Sequence, residues 1–428
     1  MLMPGDKSIS HRAAMLAALA DGTSSIRNFS TSMDCAATLS CLAELGIAIE
    51  RDDAGLLITG VGVNGLRQAQ APLDCGNSGT TLRLLAGVLA GQDFKSTLTG
   101  DDSLRLRPMQ RIIEPLEMMG ARISANDGRA PLFIQGHSRL NPITYELLIA
   151  SAQVKSCILL AGLSAAGRTE VIENQITRDH TERMLRSFGV QIETGEAERE
   201  GENARFAAVN GPARLSARQV SVPGDISSAA YFLAAAALLP ESSLVIEGVG
   251  LNPTRALFLT QLRELGLNVE ITGAHEDNGE PVGEIRAQGR RTQFSQAAHS
   301  PLTIRGLVVA QLIDELPLLA VVGSQVEGGI EIRDARELRV KESDRIAATA
   351  LNLRAMGTDV EEFEDGLRVA GPTRLHGATI DPRGDHRIAM AFTVAGLIAE
   401  SETDITDSEC VAVSFPEFFE LLDSVVER

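Results

Sequence analysis

The 428-residue chain contains no tryptophan and only two tyrosines. Because single-stranded nucleic acids bind proteins largely by stacking on aromatic side chains, this scarcity argues against a nucleic-acid platform. Basic residues are also outnumbered, with 39 Lys and Arg against 57 Asp and Glu, which gives a formal net charge of −18 at pH 7. This balance excludes general affinity for nucleic acid or for an anionic membrane surface. An anionic small molecule is compatible with it, provided that basic residues gather locally.

The sequence also lacks the marks of membrane insertion and secretion. No run of about 18 apolar residues occurs, and no charged segment followed by an apolar stretch opens the chain. The cysteines are odd in number and form no C-x-x-C pair, which predicts reduced, mostly buried thiols. We therefore expect a cytoplasmic globular protein with no membrane partner, long enough for two domains. The cysteines are Cys35, Cys41, Cys75, Cys157 and Cys410.

A helix that ends in glycine and continues into a strand recurs along the chain. In each copy, a Leu- or Met-rich helix meets a glycine suited to left-handed backbone, and alternating apolar and polar residues follow. A sixth helix, FPEFFELLDSVVER, has no such continuation. The repeat predicts an α/β fold built from one duplicated unit. The copies are CLAELGIAIE, PLEMMGARIS, MLRSFGVQIE, QLRELGLNVE and NLRAMGTDVE, with glycines Gly46, Gly120, Gly189, Gly266 and Gly357.

A longer repeat divides the chain into halves. PGDKSISHRAAMLAAL and PGDISSAAYFLAAAAL both place Pro-Gly-Asp before a Ser-containing helix start and an Ala-rich helix. The second copy follows the strand-like QVSV, whereas only MLM precedes the first. We predict two similar domains of three units each, spanning 5–224 and 225–428, joined also by a residual strand at 1–4. Polar stretches at 195–205 and 275–284 are predicted hairpin loops.

The motif PGDKSISHR resembles a nucleotide-binding P-loop only in part. A P-loop needs a preceding strand and G-x-x-x-x-G-K-[ST], but three residues precede this motif and an Asp separates its Gly from Lys7. Lys7, Ser8 and Arg12 at a helix start suit another anion, because free N–H groups and the helix dipole attract negative charge. The alternative is that Ser8 or Ser10 simply caps the helix.

Other segments also carry small polar or basic residues at expected helix starts. GNSGTT (76–81) predicts an anion-binding turn before a helix from about Leu82, or else an ordinary turn with a Thr cap. GDDSLRLRPM places Arg105 and Arg107 before Pro108, a suitable first-turn residue. Taken singly, each of these residues is compatible with an ordinary solvated loop. The remaining candidates are Ser151, Gln153 and Lys155 in ASAQVKSC, and Arg178 in TRDHTERML.

Carboxylates in the second half of the chain indicate a functional site more strongly than the single basic residues do. Asp314 and Glu315 interrupt an apolar stretch, where an unused charge is costly. RVKESDR contains Lys341, Glu342 and Arg345, and the four-residue spacing predicts Lys341 and Arg345 on one helix face.

GDHRIAMAF places Asp385, His386 and Arg387 at another helix start, without a third ligand at a spacing that favours a metal. Together, these helix starts predict a cleft between the domains that binds highly anionic small molecules.

The order of these motifs resembles the 5-enolpyruvylshikimate-3-phosphate synthase family, and two of them resemble its bacterial forms. The resemblance implies the enolpyruvyl transferase fold: α/β, with two similar domains, each of three repeated βαβαββ units, and the active site in the interdomain cleft. It also implies that the first strand crosses to the second domain. The motifs, between residues 4 and 422, are PGDKSISHR, GNSGTTLR, RPM, SAQVKS, RDHTERML, PGDISSAAYFLAA, LNPTR, IDELP, VKESDR, GDHRIAMAF and SFPEFFELL.

The implied reaction joins shikimate 3-phosphate to phosphoenolpyruvate and releases phosphate, in the pathway to chorismate and aromatic amino acids. The resemblance implies no metal, no organic cofactor and a monomer, with glyphosate as an inhibitor beside Gly79. Asp314 fits the base for the 5-hydroxyl and Glu342 the acid–base at C3, with Lys7 also in the catalytic set. The shikimate 3-phosphate residues would be Lys7, Ser8, Arg12, Ser151, Gln153, Arg178, Asp314 and Lys341. The phosphoenolpyruvate residues would be Lys7, Asn77, Gly79, Thr80, Arg107, Gln153, Arg345 and Arg387.

One position departs from the family pattern, and two other functions stay open at this point. Val413 stands where some members carry a Lys that reaches phosphoenolpyruvate. UDP-N-acetylglucosamine enolpyruvyl transferase shares the fold and the enol donor, but typically has a reactive Cys in the loop that here reads GDDSLRLRPM. A non-catalytic anion-binding protein on this scaffold is the other alternative. The acidic pair Asp314 and Glu342 argues against it, because carboxylates beside an anionic ligand gain nothing for binding alone.

Overall fold

Helices and strands alternate along the chain, which forms two compact units in the computed structural model. The structure describes residues 1–52, 55–197, 204–289 and 301–426. The N-terminal unit comprises Gly5–Val222 and Glu276–Glu280. The C-terminal unit comprises Met1–Pro4, Pro223–His275 and Pro281–Arg428.

The N-terminal unit arranges its strands in three mixed sheets. Its helices are α1 (Lys7–Leu19), α2 (Met33–Glu44), α3 (Gly79–Ala90), α4 (Asp102–Leu106), α5 (Gln110–Met118), α6 (Ala152–Gly162) and α7 (His180–Ser187). Its strands are β1 (Ala20–Arg27), β2 (Ala48–Asp52), β3 (Gly55–Val61), β4 (Leu73–Asp74), β5 (Lys95–Thr99), β6 (Arg122–Asn126), β7 (Arg129–Gln135), β8 (Thr144–Glu146), β9 (Arg168–Glu173), β10 (Ile192–Ala197), β11 (Ala204–Asn210), β12 (Leu215–Ser216) and β13 (Gln219–Ser221). The strand orders of the three sheets are β12-β1-β3-β2 with β13 also on β1, β4-β5-β7-β6, and β10-β11-β9-β8.

The C-terminal unit also combines helices with sheets. Its helices are α8 (Ile226–Leu238), α9 (Leu257–Glu264), α10 (Val309–Leu312), α11 (Leu316–Gly323), α12 (Arg345–Ala355), α13 (His386–Leu397) and α14 (Phe418–Val425). Its strands are β14 (Ser243–Gly250), β15 (Asn268–Asp277), β16 (Glu280–Gln288), β17 (Leu302–Ile304), β18 (Ile330–Ile332), β19 (Val360–Phe363), β20 (Gly366–Val369), β21 (Thr379–Ile380) and β22 (Asp404–Ile405). The strand orders of its sheets are β14-β16-β15, β17-β18-β20-β19 and β21-β22. Short 3-10 helices cover Gly306–Val308, Arg336–Val340 and Ser408–Val413.

The repeated helix–glycine–strand pattern is confirmed at all five positions. In α9, the N–H of Gly266 donates to the carbonyl of Arg263, and that of Leu267 reaches back to Leu262. This pair of bonds caps the last helical carbonyls and requires a left-handed residue at the glycine. Strands β2, β6, β10, β15 and β19 begin soon after these glycines. The five φ angles are 91° at Gly46, 103° at Gly120, 88° at Gly189, 86° at Gly266 and 92° at Gly357.

The two Pro-Gly-Asp motifs begin equivalent helices. Helices α1 and α8 are each 13 residues long and each has an aspartate as N-cap. Asp6 accepts from the N–H of Ile9, and Asp225 accepts from that of Ser227. A serine cap at Ser8 or Ser10 is therefore wrong for α1, because both serines lie inside the helix and Asp6, which precedes it, accepts from the first-turn N–H.

The first residues of the chain pair with a strand of the C-terminal unit. The Met1 ammonium group donates to the carbonyl of Val245, and the N–H of Glu247 donates to the carbonyl of Met1. Leu2 forms a parallel bridge with Glu247, so this segment lies beside β14. The resemblance implied a similar crossing of the first strand to the second half.

Each unit has its own apolar core around Ala- and Leu-rich helices. In the N-terminal unit the most buried helices are α1, α3 and α6, and in the C-terminal unit they are α8, α11 and α13. Within the described ranges, no single helix is long and apolar enough to cross a membrane. The segments Gly306–Leu312 and Leu316–Gly323 pass that test only as a pair, bent by 106°.

Four of the five thiols are buried and none forms a disulfide, as expected from the scattered cysteines. Burial raises the pKa of Cys35 and Cys157 to about 12, because a thiolate would lose its hydration.

Two predicted hairpin loops have different outcomes. The predicted loop 275–284 is too long, because most of this stretch is strand and only Asn278 and Gly279 lie between β15 and β16. The centre of the 195–205 loop lies outside the described residues.

We predict that Gly266→Ala lowers the free energy of unfolding by about 1–2 kcal/mol, the cost of a left-handed conformation for a residue with a Cβ. An ideal Cβ at Gly266 meets no atom within 4 Å, so backbone strain is the whole effect. Urea denaturation measures it. Gly250→Ala is the matched control, because Gly250 has no positive φ and its added Cβ would lie 3.5 Å from Pro223. Equal stability of the two variants would contradict the prediction.

Candidate active site

Lys7 lies at the first position of α1 in the N-terminal unit. Its ammonium group is 2.8 Å from Oδ2 of Asp34, at the start of α2. The pair fixes the lysine beside the helix N-terminus, where the dipole and first-turn N–H groups favour an anion. Lys7 therefore combines a positive group with a helix start, as the sequence predicted, although the pairing with Asp34 was not expected.

Arg12 is buried one turn further along α1, and three of its nitrogens have neutral partners. Nε donates to Thr181 Oγ1 (2.7 Å), Nη2 to Ser156 Oγ (2.7 Å) and Nη1 to the carbonyl of Ser8 (2.9 Å). Arg178 Nη1 lies 3.5 Å from Ser8 Oγ. The predicted residues Ser8, Arg12 and Arg178 are thus brought together around the start of α1.

The GNSGTT turn leads directly into α3, which begins at Gly79 rather than near Leu82. The cap is Ser78, whose Oγ accepts from the N–H of Thr81 at 3.1 Å, so the predicted Thr cap is wrong. Asn77 lies just before the cap, and its Oδ1 accepts from Arg107 Nη2 at 2.7 Å. The turn thereby fixes one guanidinium close to a helix N-terminus.

Arg107 lies after α4, and the following helix α5 begins at Gln110. Pro108 is therefore not in the first helical turn, contrary to the sequence expectation. Arg107 itself is buried and adjoins the GNSGTT turn, as the anion-binding interpretation requires.

A guanidinium that the sequence analysis missed lies beside Gly79. Arg83 Nη1 donates to Gln153 Oε1 at 2.6 Å, and Gln153 Nε2 donates to Thr80 Oγ1 at 2.9 Å. A Cβ built on Gly79 would lie 2.7 Å from Arg83 Nη1 and 3.4 Å from Arg107 Nη1. Two cations therefore border the space above Gly79. The four-residue spacing of Gly79 and Arg83 on one helix was the signal that could have identified it.

Ser151 has a structural task in the N-terminal unit. It is the N-cap of α6, and its Oγ accepts from the N–H of Val154 at 3.4 Å. Its position two residues before Gln153 places both predicted residues at the start of one helix.

In the C-terminal unit, Arg345 begins α12 and is surrounded by carboxylates. Nε donates to Asp385 Oδ2 at 2.8 Å, Nη2 to Glu342 Oε2 at 2.5 Å, and Nη1 lies 3.5 Å from Asp314 Oδ1. Burial alone would lower the pKa of Arg345, but Asp385 and Glu342 outweigh it and raise the pKa above its usual value. Arg345 therefore stays charged although it is fully buried.

Arg387, the second residue of α13, contacts the same carboxylate. Its Nη2 lies 3.4 Å from Asp314 Oδ2, and its Nη1 donates to the carbonyl of Asp314 at 3.2 Å. Burial lowers the pKa of Arg387, whereas Asp314 raises it and the net shift is upward. Asp314, Glu342, Arg345 and Arg387 thus form one cluster of two carboxylates and two guanidinium groups.

Lys341 does not share a helix face with Arg345, which corrects the sequence expectation. It directly follows the 3-10 helix Arg336–Val340 with φ −82° and ψ −149°, and α12 begins only after the cap Asp344. Its ammonium group is 3.6 Å from Glu337 Oε1. Burial lowers the pKa of Lys341, against the opposing effect of the carboxylates of Glu337 and Asp314.

Asp385 joins the two arginines, a role that the sequence did not reveal. It is fully buried and caps α13 by accepting from the N–H of Arg387 at 2.9 Å. Its carboxylate also accepts from Arg345 and from the hydroxyl of Ser343 (3.1 Å). Asp385 therefore fixes both the side chain of Arg345 and the helix that carries Arg387.

A second buried network in this unit was also missed. Arg255, from LNPTR, donates through Nη2 to Ser227 Oγ at 2.6 Å and lies 3.4 Å from Asp225 Oδ1. Ser227 in turn donates to Glu315 Oε1, which lies 3.9 Å from Arg387 Nη1. This network explains why a carboxylate occurs at Glu315 in an apolar stretch.

Two further observations concern metal ligands and Val413. Among the described residues, no group of three or more His, Cys, Asp or Glu side chains could hold a metal ion. Val413, where some members of the resembling family carry a Lys, is the last residue of the 3-10 helix Ser408–Val413.

Comparison with known proteins gives consistent matches along the chain. The family model for EPSP synthase (3-phosphoshikimate 1-carboxyvinyltransferase) matches residues 1–422. The 3-phosphoshikimate 1-carboxyvinyltransferase of Koribacter versatilis (strain Ellin345) is 52% identical over 426 residues, which cover 99% of this chain and 96% of that protein. The protein of the same name from Salinibacter ruber (strain DSM 13855 / M31) is 48% identical over 427 residues, with the same coverage.

Solved structures support the same assignment. EPSP synthase from Acinetobacter baumannii superposes with a TM-score of 0.84 at 41% identity, covering 99% of this chain and 95% of that one. The enolpyruvyl transferase NikO from Streptomyces tendae, at 20% identity, has a TM-score of 0.74 over 99% of this chain and 94% of that one. This second likeness shows the fold alone, which is the enolpyruvyl transferase fold predicted from the motifs. With 52% identity to a relative across nearly its whole length, the chain belongs to the EPSP synthase family.

Proposed function

We propose that this chain transfers the carboxyvinyl group of phosphoenolpyruvate to the 5-hydroxyl of shikimate 3-phosphate and releases phosphate. The observation that carries the proposal is the full-length similarity to relatives named for that reaction. The two alternatives are not favoured, because relatives with 41–52% identity are named for the shikimate 3-phosphate reaction. Action as a monomer without a metal or organic cofactor, in the cytoplasm, stays a prediction from the resemblance.

The carboxylates of the C-terminal unit suit the two proton transfers. The 5-hydroxyl oxygen bonds to C2 of the enol, its proton passes to a base, and C3 gains a proton. The tetrahedral intermediate then loses phosphate and the C3 proton. We assign Asp314 as the base and Glu342 as the acid–base at C3. Their side chains are 16% and 20% exposed, so a ligand can reach them, and both contact Arg345.

The cations of both units suit the two anionic substrates. Arg345 and Arg387 are assigned to phosphoenolpyruvate in the C-terminal unit, and Lys341 to shikimate 3-phosphate. In the N-terminal unit, the phosphoenolpyruvate residues are Lys7, Asn77, Gly79, Thr80, Arg107 and Gln153, to which the geometry adds Arg83. The remaining shikimate 3-phosphate residues there are Lys7, Ser8, Arg12, Ser151, Gln153 and Arg178. Guanidinium groups held in place by neighbouring oxygens bind phosphate and carboxylate with little loss of side-chain freedom.

The direct test is phosphate release from the purified chain with both substrates, followed by detection of the enolpyruvyl product. Each substrate alone is the control, because a phosphatase acting on either one would release phosphate without its partner. A parallel assay with UDP-N-acetylglucosamine in place of shikimate 3-phosphate tests for the activity of the related transferase. Phosphate release only with UDP-N-acetylglucosamine, or with neither acceptor, would refute the proposal.

We predict that Glu342→Gln and Asp314→Asn each lower kcat by about 10²–10⁴-fold, the usual contribution of a positioned acid or base. Both changes keep the size of the side chain and remove its proton-transfer role. Steady-state kinetics and circular dichroism measure the loss and the retention of fold. Glu361→Gln is the control, since Glu361 is exposed on β19 of the same unit. A variant with wild-type kcat would remove its residue from the mechanism.

We also predict that Gly79→Ala weakens binding at the phosphoenolpyruvate site. The added methyl would approach Arg83 to 2.7 Å, so this guanidinium must move. Overpacking of this kind costs roughly 1–3 kcal/mol, or about 5- to 150-fold in affinity. Glyphosate is longer than phosphoenolpyruvate, so its inhibition constant should rise by a larger factor than the KM of the substrate.

Steady-state kinetics of the two proteins side by side measure both factors, and Gly250→Ala is a control outside the site. Equal factors, or an effect confined to the KM of shikimate 3-phosphate, would show that Gly79 does not line the enol site.

A further inference from the structure

A buried cation in the N-terminal unit has no part in the proposed chemistry. Lys155 on α6 is 1% exposed, and its ammonium group lies 2.7 Å from Glu182 Oε1 and 3.0 Å from Glu173 Oε1. Burying three charged groups is costly, and apolar residues of similar volume often stabilise a core as well or better. Helix α6 is otherwise rich in Leu, Ile and Ala, so its packing does not require a lysine at position 155.

This ion cluster lies next to the groups that hold Arg12. Ser156 follows Lys155 on α6, and Thr181 precedes Glu182 on α7. The two hydroxyls are 2.6 Å apart, and both accept from Arg12 at 2.7 Å. Two adjacent contacts therefore link α6 to α7. One is the ion pair of Lys155 with Glu182, and the other is the hydroxyl pair of Ser156 and Thr181 that orients the guanidinium of Arg12.

The other carboxylate of the cluster fixes the segment that carries Arg178. Glu173 Oε2 accepts from both the N–H of Thr177 (3.2 Å) and its hydroxyl (2.6 Å). Thr177 directly precedes Arg178 in the chain. Lys155 thus anchors, through Glu173 and Glu182, both ends of the segment between β9 and α7.

We propose that Lys155 is a positioning residue that sets the affinity for shikimate 3-phosphate, by fixing Arg12 and Arg178 through Glu182 and Glu173. The inference rests on the proposed function, because that function assigns these two arginines to the substrate. Helix α6 also packs on α3, so it keeps its place when the link to α7 is lost. Gln153, Arg83 and Gly79 should then be unaffected, and with them the binding of phosphoenolpyruvate.

The charge state of the cluster supports this role. Burial lowers the pKa of Lys155, but the carboxylates of Glu182 and Glu173 outweigh it and raise the pKa above its usual value. The ammonium group therefore persists throughout the pH range of an enzyme assay.

The experiment compares Lys155→Met with the triple variant Lys155→Met, Glu173→Gln, Glu182→Gln. The single variant leaves two buried carboxylates unpaired, which can prevent folding. The triple variant removes all three charges at nearly constant volume and keeps the protein testable. Calorimetry gives the Kd of shikimate 3-phosphate alone, and steady-state kinetics give the KM of phosphoenolpyruvate.

For the folded triple variant, we expect the Kd of shikimate 3-phosphate to rise roughly 10- to 100-fold, as for a small displacement of positioning groups. The KM of phosphoenolpyruvate at saturating co-substrate should stay within about twofold, whereas a general loosening of the unit would change both values. Ile158→Val is the matched control: it removes one buried methylene from the same helix, and we expect no change in either constant.

An unchanged Kd of shikimate 3-phosphate in the triple variant would overturn the inference. So would equal losses for both substrates, or the same loss in Ile158→Val. Failure of the wild-type protein to bind shikimate 3-phosphate would refute the proposed function and this inference together.

Discussion

The left-handed glycine at the end of five helices is the constraint on which the architecture depends. At each site the glycine N–H and the next N–H close on helical carbonyls, and the chain turns at once into a strand. A residue with a Cβ would cost about 1–2 kcal/mol at each turn. The three such turns of the N-terminal unit would together cost about 3–6 kcal/mol, a large share of the roughly 5–15 kcal/mol that stabilises a typical domain. Each repeated unit therefore depends on the glycine at this turn.

Buried cations impose the second constraint, and the two units meet it differently. In the N-terminal unit, Ser156 and Thr181 orient Arg12 through neutral hydroxyl oxygens, while the carboxylates pair with Lys155 nearby. In the C-terminal unit, carboxylates contact the arginines directly, as Asp314 does with Arg345 and Arg387. Hydroxyl partners orient a guanidinium without cancelling its charge, which suits anion binding. Carboxylate partners place proton acceptors beside the cations, which suits proton transfer.

Local chemistry could be predicted from the sequence, whereas pairing through space could not. The helix–glycine–strand repeats were predictable because cap, turn and strand are adjacent in the chain. The alternative of a serine cap for α1 was wrong, since several polar residues compete at that helix start and Asp6 is the cap. Lys341 was placed on a helix that begins four residues later. Arg83 contacts Gln153, which is distant in sequence, so its four-residue spacing from Gly79 was the only local signal. Arg255 was missed because its partner Ser227 is distant in sequence and gives no periodic signal.

In the C-terminal unit, the exposure of each carboxylate distinguishes a purely structural residue from one that a substrate can reach. Asp385 accepts from the N–H of Arg387, from two nitrogens of Arg345 and from the hydroxyl of Ser343. These donors engage both of its oxygens and the side chain is 0% exposed, so no substrate can reach it. Glu342 and Asp314 contact Arg345 but keep part of their surface open. The presence of an ionisable residue in a family motif therefore does not show that this residue transfers a proton. At Asp385, the motif preserves the position of two arginines instead.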